Sequence, residues 1–339
     1  MSDAAMIQVM PSAMEQLFYS ILLKNGLSPG ASLQNAAVFT ANSVDGITTH
    51  GVNRFPRFVE YIQKGYVDIN ASPKLKSKHN GWEQWDGNLG AGIPNAIAAT
   101  QRSMELAREY GIGCVALSNT HHWMRGGTYG WQAAKAGYVF IGWTNTIANM
   151  PAWNATKAKL GNNPLVMALP YKEEAIVLDM AMSQYSYGAL ELAAMKNETL
   201  AVPGGIDSAG NLTRDPAAVL ASRQVLPVGY WKGAGLSLLL DLLAAVLSGG
   251  FSVHEITKQE AEFGLSQVFI CIDISKSGNH TVISRMVENI INDYKESVAA
   301  GKDDPVLYPG ERVLQARKKN TENGIPVLKT VWDAILKLG

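Results

Sequence analysis

The chain has 339 residues, of which 47% are hydrophobic and 17% charged, and its 29 basic and 29 acidic side chains cancel. That balance excludes a non-specific electrostatic grip on nucleic acid or an anionic membrane, which needs clustered Lys and Arg. The two cysteines, Cys114 and Cys271, exclude a disulfide framework and a cysteine-rich zinc site and read as buried, reduced thiols.

The start, "MSDAAMIQVM", lacks the basic region and apolar core of a signal peptide. Ser12 and Glu15, after Pro11, have the spacing of a capping box, and Leu17, Phe18, Ile21 and Leu22 follow at helical spacing. "SLQNAAVFTANSVDGI" predicts a second helix, stopped near Gly46. The polar turn "TTHGVNR" comes next, and Pro56 opens a third helix that ends at Gly65. In the middle of the chain, "GIGCVALSN", "YVFIGWTNT", "PLVMALP", "AIVLDMAM" and "QVFICIDI" predict buried strands. Helices are expected between them at "IPNAIAATQRSMELAREYG", "GTYGWQAAKAG" and "GLSLLLDLLAAVLSGG". The stretch Leu236–Leu247 is short for a bilayer span and carries Asp241, so a soluble cytoplasmic protein is expected. Three further helices are expected in the last ~55 residues, with the basic run Arg317 to Lys319 ending a solvated one. The ends are thus helical and the centre is α/β.

Four stretches carry candidate chemistry. "GNLGAGIPNAIAA" resembles a dinucleotide fingerprint only loosely, because its spacing is wrong, and a glycine-rich turn is the better reading. "GYWKGAGLS" sets Lys232 at a helix entry, which suits either an anion site or an ordinary helix start with an exposed lysine. "TTHGVNRFPRF" gathers Thr49, His50, Asn53 and Arg54 in one polar turn. A histidine there can move a proton near neutral pH and an arginine can fork onto a carboxylate; a capping turn with an exposed histidine stays open. "NTHHWMRGGTYGW" adds His121, His122 and Arg125 on a glycine-hinged loop between a strand and a helix, a common position for a site. Adjacent histidines diverge and no third ligand has suitable spacing, so no metal is expected.

Six blocks then occur in order: "THGVNRFPRF", "HWMRGGTYGWQAAKAGYVFIGWTNTIANMPAW", "LGNNPLVMALP", "VLDMAMS", "PVGYWKGAGLSLLLDLLAAVLSGG" and "PGER". Their order and spacing resemble the malate/L-lactate dehydrogenase family over nearly the whole chain. The Trp-Met-Arg-Gly-Gly loop, where other members usually carry Phe-Gly, resembles a branch that reduces a 2-oxo sugar acid. The resemblance implies a non-Rossmann α/β fold of the L-sulfolactate/malate dehydrogenase type. It implies a helical lobe from residues 1–80 with 280–339 and a cofactor lobe from 81–279. It also implies an NAD(H)-dependent 2-oxo acid reductase acting as a homodimer with its site near the subunit interface. Malate, lactate, ureidoglycolate and cyclic-imine enzymes are the alternatives within the family, and an NADH-binding protein without turnover is the alternative outside catalysis.

By the same resemblance His50 matches the proton donor and His122 a second site histidine. Arg54 and Arg125 match substrate-side positions, and Asn145 lies where nicotinamide and substrate are placed. Ala175, Ile176, Val177, Leu178, Asp179, Met180 and Ala181, then Trp231 and Lys232, then Gly310, Glu311 and Arg312 match cofactor-binding segments. Thr49, Asn53, Thr144 and Asn145 are available as polar partners for a hydroxylated substrate. Asp45 is a candidate partner of His50. Two departures stand out: Asn162 replaces a more usual threonine, and Arg312 suits a 2′-phosphate, which weakens NAD over NADP.

Overall fold

The computed structural model describes residues 5–301 and 305–339; the first four residues of the N-terminal stretch lie outside them. A seven-stranded sheet forms the middle of the molecule. In spatial order its strands are Lys74–His79, Trp82–Asp86, Ile112–Thr120, Leu265–Asp273, Tyr138–Thr144, Leu165–Tyr171 and Glu174–Met180. Only Trp82–Asp86 against Ile112–Thr120 is a parallel pair. The five apolar runs all become strands, as expected of short runs rich in β-branched residues. The strand Leu265–Asp273 lies in the centre, bonded on both sides.

Helices cover both faces. Gly92–Tyr110 and Gly127–Lys135 bury Ala96, Leu106, Tyr129 and Ala133 on one face around Phe140 and Phe269. The opposite face packs Ala234, Leu240 and Ala244 of the helix Trp231–Ser248 against Trp143 and Val268. That helix starts before the run Leu236–Leu247 and is 18 residues long, apolar and long enough to cross a membrane by length and composition. Its inner side is packed on the sheet, while Leu239, Leu242, Leu243 and Val246 are exposed.

A separate core joins the chain ends. Met14, Phe18, Phe39, Phe55 and Val59 pack with Ile325, Val327 and Ile335. The strand Met6–Val9 pairs antiparallel with Ile325–Leu328, a pairing too short and ordinary to read from sequence. The Phe18 and Phe55 rings stack at 3.9 Å, with Phe39 edge-on to Phe55 at 5.3 Å. This cluster clamps the second and third helices around the polar turn between them. The helix Ile283–Lys295 instead lies along the strand Leu165–Tyr171.

Two local expectations differ. The first helix begins at Pro11 with no side-chain cap, so Ser12 and Glu15 are already inside the helix; proline's fixed φ starts the helix without a capping box. Arg317 is not on a solvated helix end. It lies in mid-helix within Glu311–Asn323, over the Trp131 ring at 4.7 Å and paired with Asp45.

Candidate active site

The turn that carries His50 is held by the polar end of the helix before it. Ser43 Oγ donates to Phe39 O at 2.8 Å and accepts from the Val52 amide at 2.8 Å. The Asn42 side-chain amide donates to His50 O at 2.9 Å. Thr48–His50 forms a short 3₁₀ turn under these restraints, and Phe55 then enters the aromatic cluster.

The strand Ile112–Thr120 delivers the second pair of histidines. His121 turns away, its Nε2 bonded to Tyr66 O at 2.7 Å. His122 faces His50, with ring centroids 5.6 Å apart and 16° between planes. Its Nδ1 accepts from the Met124 amide at 2.9 Å, so the neutral ring carries its proton on Nε2. The loop then turns through Gly126, where an added Cβ would meet Val166 Cγ2 at 2.6 Å and the Trp123 ring at 2.8 Å. Tyr129 Oη donates to Trp123 O at 2.7 Å and fixes the loop from below.

Two cross-links tie the histidine segments to each other. Thr128 Oγ1 donates to Asn42 Oδ1 at 2.9 Å, and Arg125 Nη1 donates to Asp45. Asp45, a candidate partner of His50 from its sequence position, is instead shared by two arginines, since Arg317 donates to it at 2.7 and 3.0 Å. Arg125 also lies 3.9 Å from Asp179.

These groups open on a cavity of about 470 Å³ that Thr49, His50, His122 and Arg125 line on one side. Val177, Leu178, Asp179, Ala181 and Gly310 also line it. Gly310 has φ +95° and sits close enough to the strand that a Cβ would be 3.2 Å from Val177 N. The Val177 amide donates to Pro309 O at 3.0 Å, which joins the strand Glu174–Met180 to the turn at Gly310. Asp179 Oδ2 accepts from the Gly127 amide at 2.7 Å. Burial raises its pKa, against Arg125 and that amide.

Burial also decides the charge of the two histidines. It is the largest cause of a fall in the His50 pKa to about 3, with His122, Arg54 and Arg125 adding to it and Glu262 opposing. Burial likewise holds His122 well below its ordinary range, with Arg54 and Arg57 contributing. Both rings are therefore neutral at pH 7 before any ligand binds.

The remaining sequence candidates lie elsewhere. Arg54 does not line this cavity. It lines an adjoining recess that shares His122 and Met124 with it, and its Nη2 donates to Glu262 at 3.3 Å. Asn145 is fully buried, donates to Asp241 and Phe251 O and accepts from the Ser266 amide. Thr144 is likewise buried and bonded to backbone carbonyls. Of the polar partners named from sequence, Thr49 alone reaches the cavity; Thr146, Asn162 and Ser186 are the further polar lining groups. Ala175 is packed in the core, and Ile176 and Met180 are outside the lining. Glu311 pairs with Lys295 and accepts from the Tyr308 amide, while Arg312 is exposed. Trp231 and Lys232 are exposed at the start of their helix, outside the cavity lining. The "GNLGAG" glycines form a turn away from the cavity.

The sequence profile described as malate/L-lactate dehydrogenase matches residues 9–336. The chain belongs to this family. The enzyme is 40% identical over 328 residues to the 2,3-diketo-L-gulonate reductase of Klebsiella pneumoniae (strain 342), an alignment covering 96% of this chain and 98% of that protein. Its fold matches the malate dehydrogenase of Entamoeba histolytica with a TM-score of 0.93 at 23% identity, covering 98% of this chain and 97% of the other. It also matches the sulfolactate dehydrogenase of Methanocaldococcus jannaschii with a TM-score of 0.89 at 25% identity, covering 98% and 96%. The enzyme is therefore an oxidoreductase of the sulfolactate/malate dehydrogenase type of fold, and its family implies a nicotinamide cofactor. The cavity suits such a group. Val177, Leu178, Ala181 and Gly310 give apolar surface for a flat ring in the cavity that the two imidazoles also line.

Proposed function

We propose that the enzyme is an NADH-dependent reductase of a 2-oxo sugar acid, converting 2,3-diketo-L-gulonate to 3-dehydro-L-gulonate. The observation that carries this reading is the pair of facing neutral imidazoles on a cavity that Val177, Leu178, Ala181 and Gly310 also line. The similarity to 2,3-diketo-L-gulonate reductases supports the choice of substrate. Thr49, Arg54, Arg125 and Asn145 are assigned to the substrate side: Thr49 and Arg54 by contact, Arg125 by shaping the wall, and Asn145 by holding the strand ends beneath it. Val177, Leu178, Asp179, Ala181 and Gly310 line the cofactor position, Ala175, Ile176 and Met180 set their strand, and Glu311 and Arg312 follow at its edge.

A bound nicotinamide supplies the hydride to the carbonyl carbon. His122 Nε2–H is free to donate to the carbonyl oxygen, because Nδ1 is already engaged by the Met124 amide. His50 has no comparable backbone bond on Nδ1; its one neighbour there is Thr49 Oγ1 at 3.4 Å. It is therefore the better group to exchange a proton, and we assign it the donor role. The anionic substrate raises the His50 pKa on arrival, since a nearby negative charge favours the imidazolium. A proton placed there stabilises the developing oxyanion and completes the alcohol.

NAD(H) is assigned ahead of NADP(H), with Arg312 as the residue to change if the preference is reversed. Residues 1–80 with 280–339 are assigned to a substrate and dimerisation lobe and 81–279 to a cofactor lobe. A homodimer is assigned because Leu239, Leu242, Leu243 and Val246 expose one apolar helix face. Trp231 and Lys232, at the start of that helix, are assigned to the cofactor in this assembly. The cytoplasm is the expected compartment. NADH consumption with 2,3-diketo-L-gulonate, beside pyruvate and oxaloacetate, tests the function. A higher kcat/KM for either simple acid would move the enzyme elsewhere in its family. Sedimentation at low concentration tests the dimer, and a fully active monomer would overturn it.

A further inference from the structure

The recess beside His122 is lined by Arg54, Arg57, Tyr61 and Glu262. Glu262 is buried, with 8% of its surface exposed, yet its carboxylate is thinly satisfied. Oε2 accepts from Arg54 Nη2 at 3.3 Å and Oε1 from the Ile147 amide at 3.2 Å. Both bonds are long for a charged acceptor, and a carboxylate offers about four acceptor sites. Arg57 also turns toward this wall, donating to Tyr61 Oη at 3.3 Å. Arg54 and Arg57 against Glu262 leave the recess with one positive charge in excess.

We propose that Glu262 is a specificity-determining residue that selects 2-oxo monocarboxylates with hydroxylated carbon chains. This rests on the reductase reading above. One substrate carboxylate matches the single excess positive charge. The unused acceptor sites of Glu262 then take hydrogen bonds from chain hydroxyls, which a carboxylate can accept and a second substrate carboxylate cannot supply. A dicarboxylate brings a second negative charge close to Glu262 in a water-poor recess, where repulsion is strong. The site thereby favours a hydroxylated chain and disfavours an oxaloacetate-like one through a single side chain.

The test is Glu262→Gln in the full-length enzyme. The kcat/KM for 2,3-diketo-L-gulonate is expected to fall about tenfold to a hundredfold, as for loss of a hydrogen bond to a charged group. The value for oxaloacetate is expected to rise, so the ratio between the two shifts further. Equal loss for both substrates would mean that Glu262 merely holds Arg54, and would overturn the proposal. Calorimetric binding of L-gulonate against L-malate reads the same selectivity without turnover. A wild-type protein that reduces neither acid but prefers L-gulonate through Glu262 would sink the reductase reading and keep this one. If the glutamine variant does not fold, Glu262→Asp retains the charge at shorter reach. It should keep rejecting the dicarboxylate while losing affinity for the hydroxylated acid, and unchanged affinity for both would overturn the proposal.

Discussion

The His50–Arg54 turn and the His122–Arg125 loop carry the same two residue types at nearly the same spacing, but their arginines are held differently. Arg125 is 5% exposed and locked onto Asp45, which Arg317 grips from its other side. Arg54 is 26% exposed at its side chain and meets Glu262 through one long contact. The first guanidinium is part of the frame. The second retains donors for a ligand. The histidines divide in the same sense: His122 is fixed by a backbone amide, whereas His50 has only Thr49 Oγ1 at 3.4 Å beside its Nδ1. A shared residue pattern thus yields one rigid wall and one working wall, and the partners decide which is which.

The sharpest way to break this comparison is to exchange the histidines for asparagine one at a time. His50→Asn should lower turnover by about 10²–10⁴-fold and leave NADH affinity intact. His122→Asn should lower turnover less and keep the pH limb of reduction, which falls as the donor loses its proton with rising pH. The opposite assignment of the limb in a stopped-flow pH series would transfer the donor role to His122. In the free enzyme His50 sits at about 3, so the neutral ring needed as base for alcohol oxidation persists at all ordinary pH. The kcat/KM for oxidation should therefore show no histidine limb between about pH 5 and 8, because that parameter reports the free enzyme.

Asp45→Asn comes next in size. It leaves Arg125 and Arg317 without their shared carboxylate, and removing one partner of a buried ion pair costs about 3–5 kcal/mol. Urea unfolding should show this loss. A midpoint equal to wild type would mean that the frame does not depend on the Asp45 bridge. Arg54→Lys should raise KM about tenfold with little change in stability, because lysine keeps the charge and loses the fork. Arg125→Lys should do the reverse, costing stability before KM. Matching effects of the two lysines in both assays would erase the distinction drawn between them.

The smallest expected effect concerns acid stability. His50, His121 and His122 are all depressed in the fold, His121 to about 4, chiefly by burial. The unfolded chain takes up protons near pH 6.5 and the folded chain does not, so stability falls as pH drops below about 6.5 toward 3 to 4. His121→Gln should flatten part of that slope in thermal melts at graded pH. A slope identical to wild type would show that His121 titrates alike in both states.

Much of the sheet was legible because most of its strands are short apolar runs such as "YVFIGW" and "VFICI". The edge strand Lys74–His79 and its neighbour Trp82–Asp86 were not, since "KLKSKH" is charged as a protected edge should be and the two form a short polar hairpin. Both histidine–arginine motifs were readable as polar islands between apolar elements, and five of the assigned cofactor-side residues line the cavity. Asn145's bonds to Asp241 and to the Ser266 amide were not legible, because they join segments about a hundred residues apart. Glu262 and Arg317 were hidden for a common reason. Each sits in a charged stretch that reads as solvated, and only long-range packing buries it.

The central position of Leu265–Asp273 has a consequence for biosynthesis. Its two neighbours, Ile112–Thr120 and Tyr138–Thr144, leave the ribosome long before it does, at roughly 5–20 residues per second. During that interval, on the order of ten seconds, Ile112–Thr120 and Tyr138–Thr144 both lack the partner strand that lies between them in the sheet. The residues that close the cofactor wall, Pro309 and Gly310, emerge later still. The lining of the cavity is therefore complete only late in translation, and the sheet's central strand is among the last of its strands to be made.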